Sequence, residues 1–157
     1  MYYSGGGGSC PTTCLFCGRN ETINHLFLEC PLARYIWGII SCATGFQCQF
    51  ASVDACLVDW LKGFPIKKRR LISVGVSAVF WAIWKARNSA CFEKKWPLEP
   101  IDVIYRIVYW IDFWSGLQVT EDAKLELQRG ARLLGRIAEE VFAAKGSWRS
   151  WIPRLEN

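Results

Sequence analysis

The sequence predicts a mostly α-helical chain, a small cysteine-rich knuckle followed by a bundle of about five helices. Three observations carry this. Apolar residues recur at intervals of three and four in segments punctuated by proline and glycine. No stretch alternates apolar and polar residues for more than a few positions, as a half-buried strand would. Three of the eight cysteines and the only histidine crowd into CLFCGRNETINHLFLEC, Cys14 to Cys30, ahead of the helical segments.

Taken in order, MYYSGGGGS reads as a flexible Gly-rich leader over 1–9 and the knuckle as 10–31. Pro31 can open a helix, since its missing N–H falls among donors that have no partner in a first turn. PLARYIWGII then puts Leu32, Ile36, Ile39 and Ile40 on one face, with Gly45 as the stop. Ser52 caps a short helix carrying Val53, Cys56, Leu57, Trp60 and Leu61, which ends near Gly63 and Pro65. The longest helix runs from Lys67 to about Lys95, and Pro97 and Pro100 break it. A fourth covers IDVIYRIVYWIDFW and ends around Gly116. Thr120 caps a fifth, with Leu127, Ala131, Leu134, Ala138 and Val141 on its apolar stripe. The bundle therefore spans 32–144, and an irregular tail follows over 145–157.

At 157 residues, 52% hydrophobic and 15% aromatic, the chain can bury a sizeable core and is too apolar to stay disordered. A formal net charge of +5 admits anionic partners, nucleic acid or a lipid surface, without choosing between them. The first residues have no basic start and no apolar run, so no secretory leader is expected. That predicts an intracellular setting, nucleus or cytoplasm, where clustered cysteines hold metal more often than they pair.

The cluster is spaced Cys14-x2-Cys17-x7-His25-x4-Cys30. A C-x-x-C turn presents two thiolates on one side of a tight loop, and Gly18 permits the sharp backbone that follows. Thr22 is an acceptable N-cap for a helix that carries His25 in its first turn. On one continuous α-helix His25 and Cys30 would point about 140° apart. Pro31 relieves this, because the residue before proline leaves the α conformation. Three thiolates and an imidazole favour tetrahedral Zn2+ in a closed, structural site. Cys10 competes as a ligand, although C-x-x-C is the better pair. Cys42, Cys48, Cys56 and Cys91 lack ligand spacing and are expected to be core thiols.

This set of residues resembles the zinc-binding domain that follows reverse transcriptase in plant non-LTR retrotransposons of the long interspersed type. The resemblance rests on Cys14, Cys17 and Gly18, then Glu21, Thr22, His25, Leu26 and Phe27, then Cys30, Ala33 and Trp37. Downstream, WAIWKARNSACF is similar to a segment that trails this domain, at Trp81, Trp84, Arg87, Asn88 and Phe92. The resemblance implies Zn2+ at Cys14, Cys17, His25 and Cys30 and an accessory contact with nucleic acid. Only MYYSGGGGS precedes the first ligands, and no paired polymerase aspartates appear, so a truncated, stand-alone copy is expected.

Lys67, Lys68, Arg69 and Arg70, with Lys85 and Arg87, form the candidate RNA- or DNA-binding set, since clustered cations meet phosphates. A solvated helix start would look the same. Trp81 and Trp84 can stack on bases, but in so apolar a helix they read as core. Residues 71–84 are fourteen without a charge, too few to span a bilayer, so a buried central helix is expected and a membrane-surface contact is the weaker reading. No catalytic motif appears, and with His25 committed to metal no histidine remains as a base, so no enzyme and no small-molecule substrate are expected. The alternative function is a protein-interaction or self-association module working through the apolar helices.

Overall fold

A computed structural model of the chain describes residues 11–145. The leader over 1–9, the competing ligand Cys10 and the tail from 146 onward lie outside the described residues. Among these residues six helices follow one another: α1 (23–29), α2 (Pro31–Thr44), α3 (53–62), α4 (Ile66–Asn88), α5 (Pro100–Ser115) and α6 (Glu121–Lys145). Among the described residues there is no strand, only an isolated bridge between Thr13 and Asn20 that closes the knuckle loop. Nor is any helix there long and apolar enough to cross a membrane.

Local chemistry sets the boundaries. Pro31 opens α2, and Gly45 closes it in the left-handed region at φ 73°, its N–H bonded to Ser41 O at 2.9 Å. Ser52 Oγ accepts the Ala55 N–H at the start of α3, and Thr120 Oγ1 accepts that of Ala123 at the start of α6. At α5, Glu99 and Asp102 form a reciprocal capping box, the Glu99 N–H reaching Asp102 Oδ2 at 2.9 Å. Asp102 is thus a helix cap.

Three stretches are π-helical: His25–Glu29 in α1, Ala55–Trp60 in α3, and Ser89–Glu93, which prolongs α4 until Lys94 turns it off at φ 56°. No local sequence signal announced these wide turns.

α5 lies between α4 and α6, and α2 closes the bundle against α5 and α6. Leu32, Ile36, Ile83, Ile104 and Ile107 are fully buried at the centre, with the small residues Ala78, Ala82 and Ala138 letting the helices approach. An aromatic cluster of Phe46, Phe50, Trp60 and Phe64 holds α3 and its preceding loop to Trp37.

Three side-chain expectations change. Cys48, Cys56 and Cys91 are buried as expected, but Cys91 is disulfide-bonded and not a free thiol, and Cys42 is exposed on α2. Trp81 and Trp84 are 38% and 41% exposed, not core, because α4 buries the face of Val76, Val79, Ile83 and Ala86 and turns the tryptophans outward.

Candidate metal centre

The loop before α1 makes the site. Gly18 takes φ 73°, the left-handed region in which a Cβ is strained, and its N–H bonds back to Cys14 O at 2.8 Å. The Cys14 N–H reaches Arg19 O at 2.7 Å and the Glu21 N–H reaches Thr12 O at 3.0 Å, so both arms of the loop are stapled. Thr22 Oγ1 caps α1 by accepting the His25 N–H at 3.0 Å.

His25 is then carried into the site on a π turn. The Cys30 N–H bonds to His25 O, five residues back, at 2.7 Å, and Cys30 leaves the helix at φ −56°, ψ 140° before Pro31. Widening the turn moves residues five apart towards one side, and the extended Cys30 backbone completes the swing. Proline is therefore half of the device and the π turn is the other half.

One donor atom from each of Cys14, Cys17, His25 and Cys30 lies within 4.8 Å of every other. Cys14 Sγ and Cys30 Sγ are 3.7 Å apart, and His25 Nε2 is 3.1 Å from Cys17 Sγ. Tetrahedral zinc with thiolates at about 2.3 Å sets its sulfurs about 3.8 Å apart, which the first pair matches. Cys14, His25 and Cys30 are 2%, 5% and 0% exposed. Four protein donors of this softness, so enclosed, suit Zn2+ and leave no position for a substrate water.

The electrostatics favour bound thiolates. The hydrogen bond shared with Cys30 pulls Cys14 down to about 4, helped by the backbone N–H groups of Phe16 and Cys17. The same bond, with burial, pushes Cys30 far up. Burial raises Cys17, opposed by the Arg19 N–H. The Leu32 N–H, in the first turn of α2, favours the thiolate of Cys30. A divalent cation replaces the remaining protons and removes the penalty of crowding thiolates in a buried space.

Further contacts fix the ligand loop to the bundle. Arg87 on α4 donates from Nε and Nη2 to Glu21 Oε1, at 3.0 and 2.8 Å, across 66 residues of sequence. Asn24 Oδ1 accepts the Val53 N–H at 3.0 Å, and Trp37 Nε1 donates to Phe27 O at 2.8 Å. The Phe27 ring stacks on Phe80 at 4.6 Å. Sequence reasoning missed Glu21 and Asn24 as positioning residues, although Glu21 stands beside the Thr22 cap.

The basic set is only partly free. Lys67, Lys68, Arg70 and Lys85 are exposed. Arg69 donates from Nη2 to Lys62 O and Phe64 O, both at 3.2 Å, binding the end of α3 to the start of α4. Arg87 is half-buried in the Glu21 pair, which takes its charge out of any phosphate-binding surface.

Residues 6–37 match the model of a family described as zinc-binding in reverse transcriptase. Comparisons with curated proteins and with solved structures return no match. The matched segment contains all four clustered donors, and together they make this chain a zinc-binding module.

Proposed function

We propose that the protein is a non-catalytic module in which structural zinc holds the ligand loop against a helical bundle that contacts RNA or DNA. The observation that carries this reading is the closed set of Cys14, Cys17, His25 and Cys30 inside a segment matching a family described as zinc-binding in reverse transcriptase. Four protein donors leave the ion no open position for chemistry, so its role is to stabilise the fold. Lys67, Lys68, Arg70 and Lys85 supply phosphate contacts, and such binding is tolerant of sequence and weakens steeply with salt. In this reading the chain derives from a plant non-LTR retrotransposon polyprotein and works in the nucleus or cytoplasm.

Elemental mass spectrometry of reductively purified protein should give one zinc per chain, lost in H25A. Retention on immobilised RNA should fall with salt and fall further in K67E/K68E/R70E. Retention unaltered by those three charges would remove the nucleic-acid role. A second reading is favoured by Tyr109, Phe113 and Leu117, which are 58%, 54% and 71% exposed: self-association through α5 and the turn that follows it. A dimer whose formation depends on concentration and survives nuclease treatment would support it.

A further inference from the structure

The outward face of α4 and α5 carries aromatic rings in unbroken contact. Trp84 stacks on Trp81 with centroids 5.1 Å apart and planes 25° apart. Trp110 meets Trp81 edge-on at 6.0 Å, and Phe113 continues the row at 5.8 Å from Trp110. Tyr109 lies parallel to Phe113 within 18°. Beside the tryptophans, Leu57, Ser77, Phe80 and Trp114 border a shallow recess of about 410 Å³. The rings are flat and part-exposed, whereas a core would have interleaved them with aliphatic groups.

Charge selects the occupant. From 66 to 92 there are six basic residues and no acidic one. At 100° per residue, Lys67, Arg70, Trp81, Trp84 and Lys85 share an arc of about 100° on α4. Arg106 is exposed on α5, one turn before Tyr109 and Trp110. A second copy docked by a two-fold axis would set this basic rim against itself. A polyanion with flat apolar groups meets both features, cations for its phosphates and rings for its bases.

We infer that this face is a stacking platform for single-stranded nucleic acid, with unpaired bases on Trp84 and the neighbouring rings and the backbone held by Arg70, Lys85 and Arg106. The inference rests on the nucleic-acid reading above and adds strandedness to it. A duplex hides its base faces, so the platform discriminates against it, and base identity matters little because every base has a face to offer.

The test uses the full zinc-loaded chain with a fluorescent oligouridine and an RNA duplex of equal length, followed by anisotropy. W84A should weaken oligouridine binding by about five- to 150-fold, leave duplex binding unchanged, and W84F should recover part of the loss. Zinc content and circular dichroism of W84A establish that it folds, and Y109A gives an independent probe of the platform. Quenching of tryptophan fluorescence by the single strand should be reduced in W84A. Equal affinity of wild type for both probes, with W84A unchanged, would overturn the platform while the phosphate-binding role stands. Binding to neither at low salt would overturn both. A dimer abolished by W84A, without oligouridine binding, would assign the face to a second copy.

Discussion

Replacing Arg87 with methionine tests how the zinc loop is joined to the bundle. The Arg87 and Glu21 side chains are 17% and 11% exposed, and both guanidinium bonds converge on Oε1. Glu21 Oε2 is buried without a hydrogen bond of its own. R87M keeps the bulk of the stem and removes the charge, leaving a carboxylate almost without solvent. Breaking a buried pair from one side typically costs 3–5 kcal/mol, and the residual exposure here brings the expectation to about 3 kcal/mol. For a chain of this size that lowers the melting temperature by about 6–12 °C. E21L/R87M should recover most of the loss, since an apolar pair leaves no buried charge. Thermal and urea unfolding of the zinc-loaded proteins measure both, with elemental analysis showing that each variant still holds one zinc. If R87M melts within a degree of wild type, the pair does not join loop to bundle. If the double variant is no more stable than R87M, the penalty does not come from the stranded carboxylate.

Four further outcomes follow from the site and its surroundings. Gly18→Ala forces a Cβ into the left-handed region at φ 73°, so zinc affinity by competition with a chelating dye should fall about tenfold, a strain of about 1–2 kcal/mol; unchanged affinity would mean that the loop has another route to the site. Chelation of zinc, or C17S, should abolish the folded knuckle, seen as a large drop in melting temperature, and C17S with full metal content would break the ligand assignment. Burial pushes Cys56 up to about 12, with Cys48 also raised, whereas Cys42 is exposed. Alkylation followed by mass spectrometry should label Cys42 well before Cys56, and equal rates would contradict the packing. The folded state keeps the Cys56 proton while the unfolded chain loses it above about pH 9, so stability should decline from there towards pH 12.

The helix boundaries were legible because each is written in local chemistry. Pro31, Gly45, Ser52, Pro100 and Thr120 stand where the backbone needs them, whatever the rest of the chain does. The metal ligands were legible for the same reason, being gathered within seventeen residues. What joins distant segments was not. Nothing near Arg87 announces that Glu21 will neutralise it, so it read as one more cation in a basic stretch. Trp81 and Trp84 were read as core from the apolarity of α4 as a whole, but burial is decided by which arc faces α5 and α6. The sequence period identifies such an arc only when polar residues mark its opposite side, and α4 has fourteen uncharged positions in a row.

An α-helix returns to the same side after three or four residues, and ligand pairs on helices are ordinarily sought at those separations. His25 and Cys30 are five apart, joined by an i→i+5 bond of 2.7 Å. The number of letters between histidine and cysteine therefore encodes the diameter of a turn. Narrowing the turn while keeping five residues would swing the two donors about 140° apart, so the wide turn and the spacing of five belong together. A pattern keyed to ordinary helix spacing would pass over this centre, while one that admits a single extra residue ahead of a proline would find it.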